Sequence, residues 1–134
     1  MFLWMPWIRY GPKEENNINK RSVGNEYEER AVDYLVKSGV KILKRNFRSR
    51  FGEIDIIGRD KEYLVFYEVK YRKSTLKGYP EEAVNINKMK KICKVSDYYR
   101  LINGIGEDSF IRFDVLALTD NDCKHIKNAF SYVK

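Results

Sequence analysis

Residues 51–72 read FGEIDIIGRDKEYLVFYEVKYR. The apolar runs on either side of Asp60-Lys61 have the β-branched and aromatic content of paired strands. In the second run, LVFYEVKY, Glu68 and Lys70 stand where a covered strand excludes charge, because burying an unpaired ion is costly. Side chains alternate along a strand, so Leu64, Phe66, Glu68 and Lys70 share one face; Tyr63, Val65, Tyr67, Val69 and Tyr71 share the other. A hairpin turning at Asp60-Lys61 places Asp55 opposite Phe66 and diagonal to Glu68, on the same face. A loop of the other parity sends Asp55 to the opposite face. Two carboxylates at the diagonal spacing can share one Mg²⁺ or Mn²⁺, ions that take hard oxygen ligands. The competing reading is a plain salt bridge of Lys70 with Glu68 or Asp55.

Working outward, Ser22 can N-cap a helix over 23–38, whose Tyr27, Ala31, Tyr34 and Leu35 fall on one apolar stripe, with Gly39 as its stop. Strand-like runs cover 40–48, 53–58 and 63–71. The segment LKGYPEE leads into a long helix over 81–102, with Met89, Ile92, Cys93, Ser96 and Tyr99 stepping by three or four and Asn103-Gly104 ending it. SFIRFDVLAL predicts a strand over 109–118, and HIKNAFSYVK a short strand or helical turn. The order α-β-β-β-α-β has one core and packs naturally as a mixed sheet with a helix on each side.

The first seventeen residues, MFLWMPWIRYGPKEENN, differ from the rest. They hold both tryptophans and carry no net charge, Arg9 and Lys13 offsetting Glu14 and Glu15. They lack a basic leader and are too short in apolar length to span a bilayer. We expect an extension over 1–17, read as a disordered tail, an aromatic docking segment or an untranslated stretch, followed by one domain over 18–134. The last option arises because Lys13-Glu14-Glu15 can be encoded by a purine-rich ribosome-binding sequence, with translation starting near Ile18.

The 134 residues suffice for one core, and 43% hydrophobic with 34% charged residues is a globular composition. The net charge of +7 and pI near 9.3 favour a polyanionic partner such as nucleic acid. Two cysteines, Cys93 and Cys123, and no secretory pattern point to a reducing cytoplasm rather than a disulfide scaffold. Cys123 and the single histidine, His125, are too few for a zinc site, and read as a buried thiol and a surface imidazole. With one histidine, catalysis would rest on carboxylates, lysine, tyrosine or a metal.

The ordered set GNEYEERAVDYL, NFR, GEIDII, LVFYEVKYR and RFDVLAL, running from about Lys20 to Tyr132, resembles the YraN-like family of uncharacterised bacterial proteins. That family looks like a branch of the PD-(D/E)XK, restriction-endonuclease-like superfamily, and is similar to archaeal-type Holliday junction resolvases. The resemblance implies a three-layer α/β/α fold with a mixed central sheet. It implies metal ligation by Asp55, Glu68, the Val69 carbonyl and Glu28, and a catalytic set of Glu28, Asp55, Glu68 and Lys70 with Mg²⁺ or Mn²⁺. Lys88 matches a family position for phosphate contact, its alternative being a solvated helix lysine. Arg48 and Arg112 are weaker candidates for backbone contact, and Asp114 reads as structural, paired with an arginine. Tyr27 departs from the small residue usual before the helix glutamate.

The function expected is a divalent-metal-dependent nuclease on DNA phosphodiesters, branched DNA included, with no membrane partner and with a homodimer suited to junction substrates. Phosphate contacts are expected from Arg48, Arg72, Lys73 and Lys88, with Arg45, Arg50 and Lys77 nearby. The alternatives are a nucleic-acid-binding module that keeps the fold without turnover, and a protein-interaction factor whose basic face is incidental.

Overall fold

The structure, a computed structural model, describes residues 14–72 and 85–134, with side chains from residue 26 onward. Helix α1 spans Glu14–Lys37, followed by strands β1 (Lys41–Ser49), β2 (Gly52–Asp60) and β3 (Tyr63–Tyr71). Helix α2 (Ile86–Ile102) and strands β4 (Ile111–Leu118) and β5 (Cys123–Phe130) complete the order. The five strands form one sheet in sequence order, antiparallel throughout except for the parallel pair β3–β4. The parallel step is required because α2 crosses between those two strands.

Alternation along the strands splits the apolar residues into two cores. On one face Phe47, Ile54, Ile57, Leu64, Phe66 and Phe113 pack with Ile92, Cys93, Val95 and Tyr99 of α2. On the other, Val40, Ile56, Val65, Tyr67, Leu116 and Leu118 pack with Ala31 and Leu35 of α1. This is the mixed-sheet, three-layer α/β/α arrangement of the restriction-endonuclease-like fold.

Two expectations about the elements need correction, and a third is decided between its alternatives. Ser22 is not a cap: α1 begins at Glu14 and runs through both Ser22 and Gly24. The tail takes the strand alternative, as β5, with a bulge at which Asn128 takes a left-handed φ of 52°. The hairpin turns at Lys61-Glu62, with Lys61 at φ 56°, so that Ile57 rather than Asp55 faces Phe66. Helix α2 is described from its cap: the Asn85 side chain accepts from the Lys88 N–H at 3.0 Å. The expected start at 81 lies outside the described residues, as do Lys73, Lys77 and residues 1–13 of the extension. Among the described residues no helix is long and apolar enough to cross a membrane.

Buried polar side chains on the α1 face form one network. Arg112 donates to both Asp114 oxygens and to Asp60, each at 2.9 Å. Asp114 is also bonded to His125 Nε2 at 2.7 Å and accepts from the Asn128 N–H at 2.9 Å, which satisfies the bulge. Asp114 is thus structural, as its pattern implied, and Arg112 is committed to it rather than held out for phosphate. His125 is not on the surface: its Nδ1 meets the Tyr34 hydroxyl at 3.0 Å, which ties β5 to α1. At the far end, Tyr27 stacks on Tyr71 with centroids 3.6 Å apart, and both hydroxyls donate to Asp120. The unusual Tyr27 therefore fastens α1 to the end of β3.

Candidate functional site

The β2–β3 ladder supplies the site by opening. Regular pairing runs from Asp60↔Tyr63 to Ile56↔Tyr67. One step further the ladder stops; continuing its count would set Asp55 against Glu68, where a diagonal relation was expected. The Asp55 Oδ2 accepts from the Val69 N–H at 2.8 Å, taking the place of a backbone carbonyl. A cause is visible in β2. Ile54 and Ile57 belong to the α2 core while Ile56 belongs to the α1 core, so strict alternation fails at Asp55. On β1 the pairs Arg45↔Ile56 and Phe47↔Ile54 flank Asn46, whose φ is 53°. The ribbon twists there, and Asp55 turns into the gap between β2 and β3.

Glu68 continues the face of Leu64 and Phe66 toward α2 and is 5% exposed. Its Oε2 lies 3.1 Å from Lys70 Nζ and 3.4 Å from Lys88 Nζ. The charges in the apolar strand are therefore compensated, one lysine coming from the same strand and one from the first turn of α2. Lys88 is partly exposed yet paired with Glu68, and the Asn85 cap fixes the turn that carries it. Burial pushes the Asp55 carboxyl well above the usual carboxylate range, and the Glu68 charge adds to the rise. The Val69 N–H and Lys88 act the other way, and Glu53 raises it further.

Glu28 is elsewhere. It is 4% exposed, and its Oε1 accepts from Arg45 Nε at 3.2 Å, Arg45 Nη2 at 3.0 Å and Asn46 Nδ2 at 2.9 Å. Burial raises its pKa against the pull of Arg45 and these hydrogen bonds. Arg45 also bonds Glu29, so it is an internal tie rather than a phosphate contact. The structure thus brings together Asp55, Glu68, Val69, Lys70 and Lys88, and holds Glu28 on a separate set of partners. Among the described residues no group of three or more His, Cys, Asp or Glu is arranged to hold a metal. Arg48 is exposed and Arg72 half-buried at the end of β3. Two residues escaped the sequence reading: Asn46, although asparagine is one of the non-glycine residues that takes a left-handed backbone most readily, and Glu53. Glu53 stands two positions before Asp55 in GEID, and that spacing was the available clue.

The donor set can be tested against a divalent ion. Asp55 and Glu68 offer hard carboxylate oxygens, and the Glu68 charge disfavours ionisation of Asp55, a conflict that a shared cation relieves. Two carboxylates with the Val69 carbonyl fit such an ion, which would complete its shell with water, as Mg²⁺ commonly does.

A model of uncharacterised protein family UPF0102 matches residues 27–118. A UPF0102 protein of Lachnoclostridium phytofermentans is 46% identical over 113 residues, covering 84% of this chain and 96% of the relative. One from Persephonella marina is 49% identical over 107 residues, covering 80% and 91%. One from Fusobacterium nucleatum is 44% identical over 111 residues, covering 83% and 92%. The matched span runs from the tyrosine that pins α1 to the last residue of β4, and so encloses the whole Asp55–Glu68–Lys70 fork: the chain belongs to uncharacterised protein family UPF0102.

Proposed function

We propose that the chain is a divalent-metal-dependent nuclease acting on DNA phosphodiester bonds. The observation that carries this reading is the Asp55–Glu68 pair at the opened β2–β3 ladder, with two lysine ammonium groups on the Glu68 carboxylate. A site that only bound phosphate would have no use for two carboxylates that repel both it and each other.

Asp55, Glu68 and the Val69 carbonyl would hold Mg²⁺ or Mn²⁺. When bound, such an ion polarises a phosphoryl oxygen and acidifies water. Lys70 orients the attacking water and steadies the charge that develops on the phosphate, tasks that suit a mobile ammonium on a partly buried stem. Lys88, at the N-terminal turn of α2, holds a non-bridging phosphate oxygen, helped by the positive end of the helix. Both lysines can exchange their Glu68 contact for phosphate as substrate enters.

The test is cleavage of single-stranded, duplex and branched DNA with Mg²⁺ or Mn²⁺. Asp55→Ala and Lys70→Ala should each lower the rate by at least about a hundredfold. Unchanged cleavage in either variant removes the assignment. A second reading, DNA binding without turnover, is favoured by one observation, the sequestration of Glu28 by Arg45 and Asn46. It predicts salt-dependent binding by the wild type with no product on any of the three substrates.

A further inference from the structure

The β1–β2 turn and α2 enclose a surface cavity of about 690 Å³ that the proposed active site does not use. Arg50 and Phe51 line it from the turn, and Lys94, Asp97, Tyr98 and Leu101 from the helix. Its walls combine aromatic faces with cations. The Arg50 guanidinium lies 4.9 Å from the Phe51 ring centroid. Tyr98 leans on Phe47 with centroids 6.1 Å apart and keeps 39% of its surface exposed, and Leu101 is 77% exposed. Asp97, the one acid among the described residues of the lining, is occupied by the Tyr132 hydroxyl and by Arg100.

This cavity is connected to the Asp55–Glu68 fork by charge. Lys88, Lys91, Lys94, Tyr98 and Leu101 are spaced by 3, 3, 4 and 3 along α2, which keeps them on one side of the helix. Lys88 stands at Glu68, and Lys91 and Lys94 are exposed. From Lys88 to Tyr98 the helix rises about 15 Å, the length of about four nucleotide steps at the rise of stacked DNA.

Resting on the nuclease reading, we infer that this cavity receives an unpaired nucleobase of the DNA whose phosphates follow the lysine stripe of α2. Stacking platforms beside a basic track are how proteins grip single strands without reading sequence, and an arginine above an aromatic ring adds a cation–π component. A paired base cannot enter, because its faces are covered by its neighbours in the duplex. The preferred substrate therefore carries a single-stranded segment about four nucleotides from the scissile phosphate.

The test is fluorescence anisotropy of the full chain in EDTA, which separates binding from cutting. The probes are a short oligothymidylate, an abasic strand of the same length and a blunt duplex. Tyr98→Ala should weaken oligothymidylate binding by roughly five- to a hundredfold and leave the abasic strand and the duplex unchanged. Tyr98→Phe, which keeps the ring, should bind as the wild type does, so loss of fold cannot mimic the result. Lys94→Gln should weaken all three probes. If wild-type duplex binding is intact and Tyr98→Ala leaves oligothymidylate affinity unchanged, the cavity assignment is overturned and the nuclease reading survives. Failure of the wild type to bind any of the three overturns both. A Tyr98→Ala protein with unchanged DNA affinity and reduced self-association in sedimentation would make the cavity a protein interface, against the inference.

Discussion

Asp114 is surrounded by donors: two guanidinium nitrogens of Arg112, the His125 ring and the Asn128 N–H. Burial works to raise its pKa, but the hydrogen bonds from His125, Arg112 and Asn128, and the Arg112 charge, outweigh it and hold the carboxyl below its ordinary range. A folded-state pKa below the unfolded value of about 3.9 means the ionised form stabilises the fold. That contribution is complete above about pH 4 and is lost as pH falls through the lower folded value. Asp114→Asn removes the charge while Asp60 still pairs with Arg112, so it should cost about 1–3 kcal/mol at neutral pH. Urea unfolding at pH 7 and again near pH 3 checks this: the gap between wild type and variant should narrow in acid. A gap independent of pH would mean that packing, not charge, sets the cost. Glu28 has the opposite sign. Its carboxyl is raised by burial, so ionising it opposes folding as pH rises, and Arg45 offsets that cost.

At the scale of elements, β2 is the informative strand. The strand-like run ends at Gly58, yet the strand continues to Asp60 and Gly58 lies buried in its interior. A Cβ there would meet Val40 Cγ1 at 2.7 Å, the Lys41 carbonyl oxygen at 3.1 Å and Tyr67 Cε2 at 3.2 Å. The glycine is needed because β1 starts directly over it. Gly58→Ala should destabilise by about 1–3 kcal/mol through overpacking, seen as a lower urea midpoint at unchanged slope. An unchanged midpoint would show that Val40 can move aside. The same strand shows what the sequence could and could not reveal. Element order and the two helix-covered faces were legible because periodicities of 2 and 3.6 are local. The pairing register was off by two residues, since the turn is set by a left-handed Lys61 that Asp60-Lys61-Glu62 does not announce. Parity survived, so Asp55 and Glu68 still met. The separate seat of Glu28 was not legible, because it depends on how α1 crosses β1 and on Arg45 and Asn46, contacts between distant parts of the chain.

At the scale of the whole molecule, the two cores share the same strands, and the Asp55–Glu68 fork lies where the layers meet. An ion held there would bridge β2 and β3 just where their hydrogen bonding gives way to the Asp55 side chain. The unfolded chain has no such arrangement, so binding would act as folding free energy. At a free Mn²⁺ concentration a hundredfold above its dissociation constant, the gain is about 2.7 kcal/mol. For a domain of this size that is a rise in thermal midpoint on the order of 10 °C. Differential scanning calorimetry with and without Mn²⁺ measures it without reference to cleavage. Asp55→Ala and Glu68→Ala should each abolish the rise. Glu28→Gln should keep it relative to its own metal-free midpoint, because Glu28 is held by Arg45 and Asn46 rather than by the fork. An equal rise in wild type and Asp55→Ala would place the ion elsewhere on the protein. A rise lost in Glu28→Gln would mean that α1 shifts on loading, releasing Glu28 from Arg45 to reach the ion.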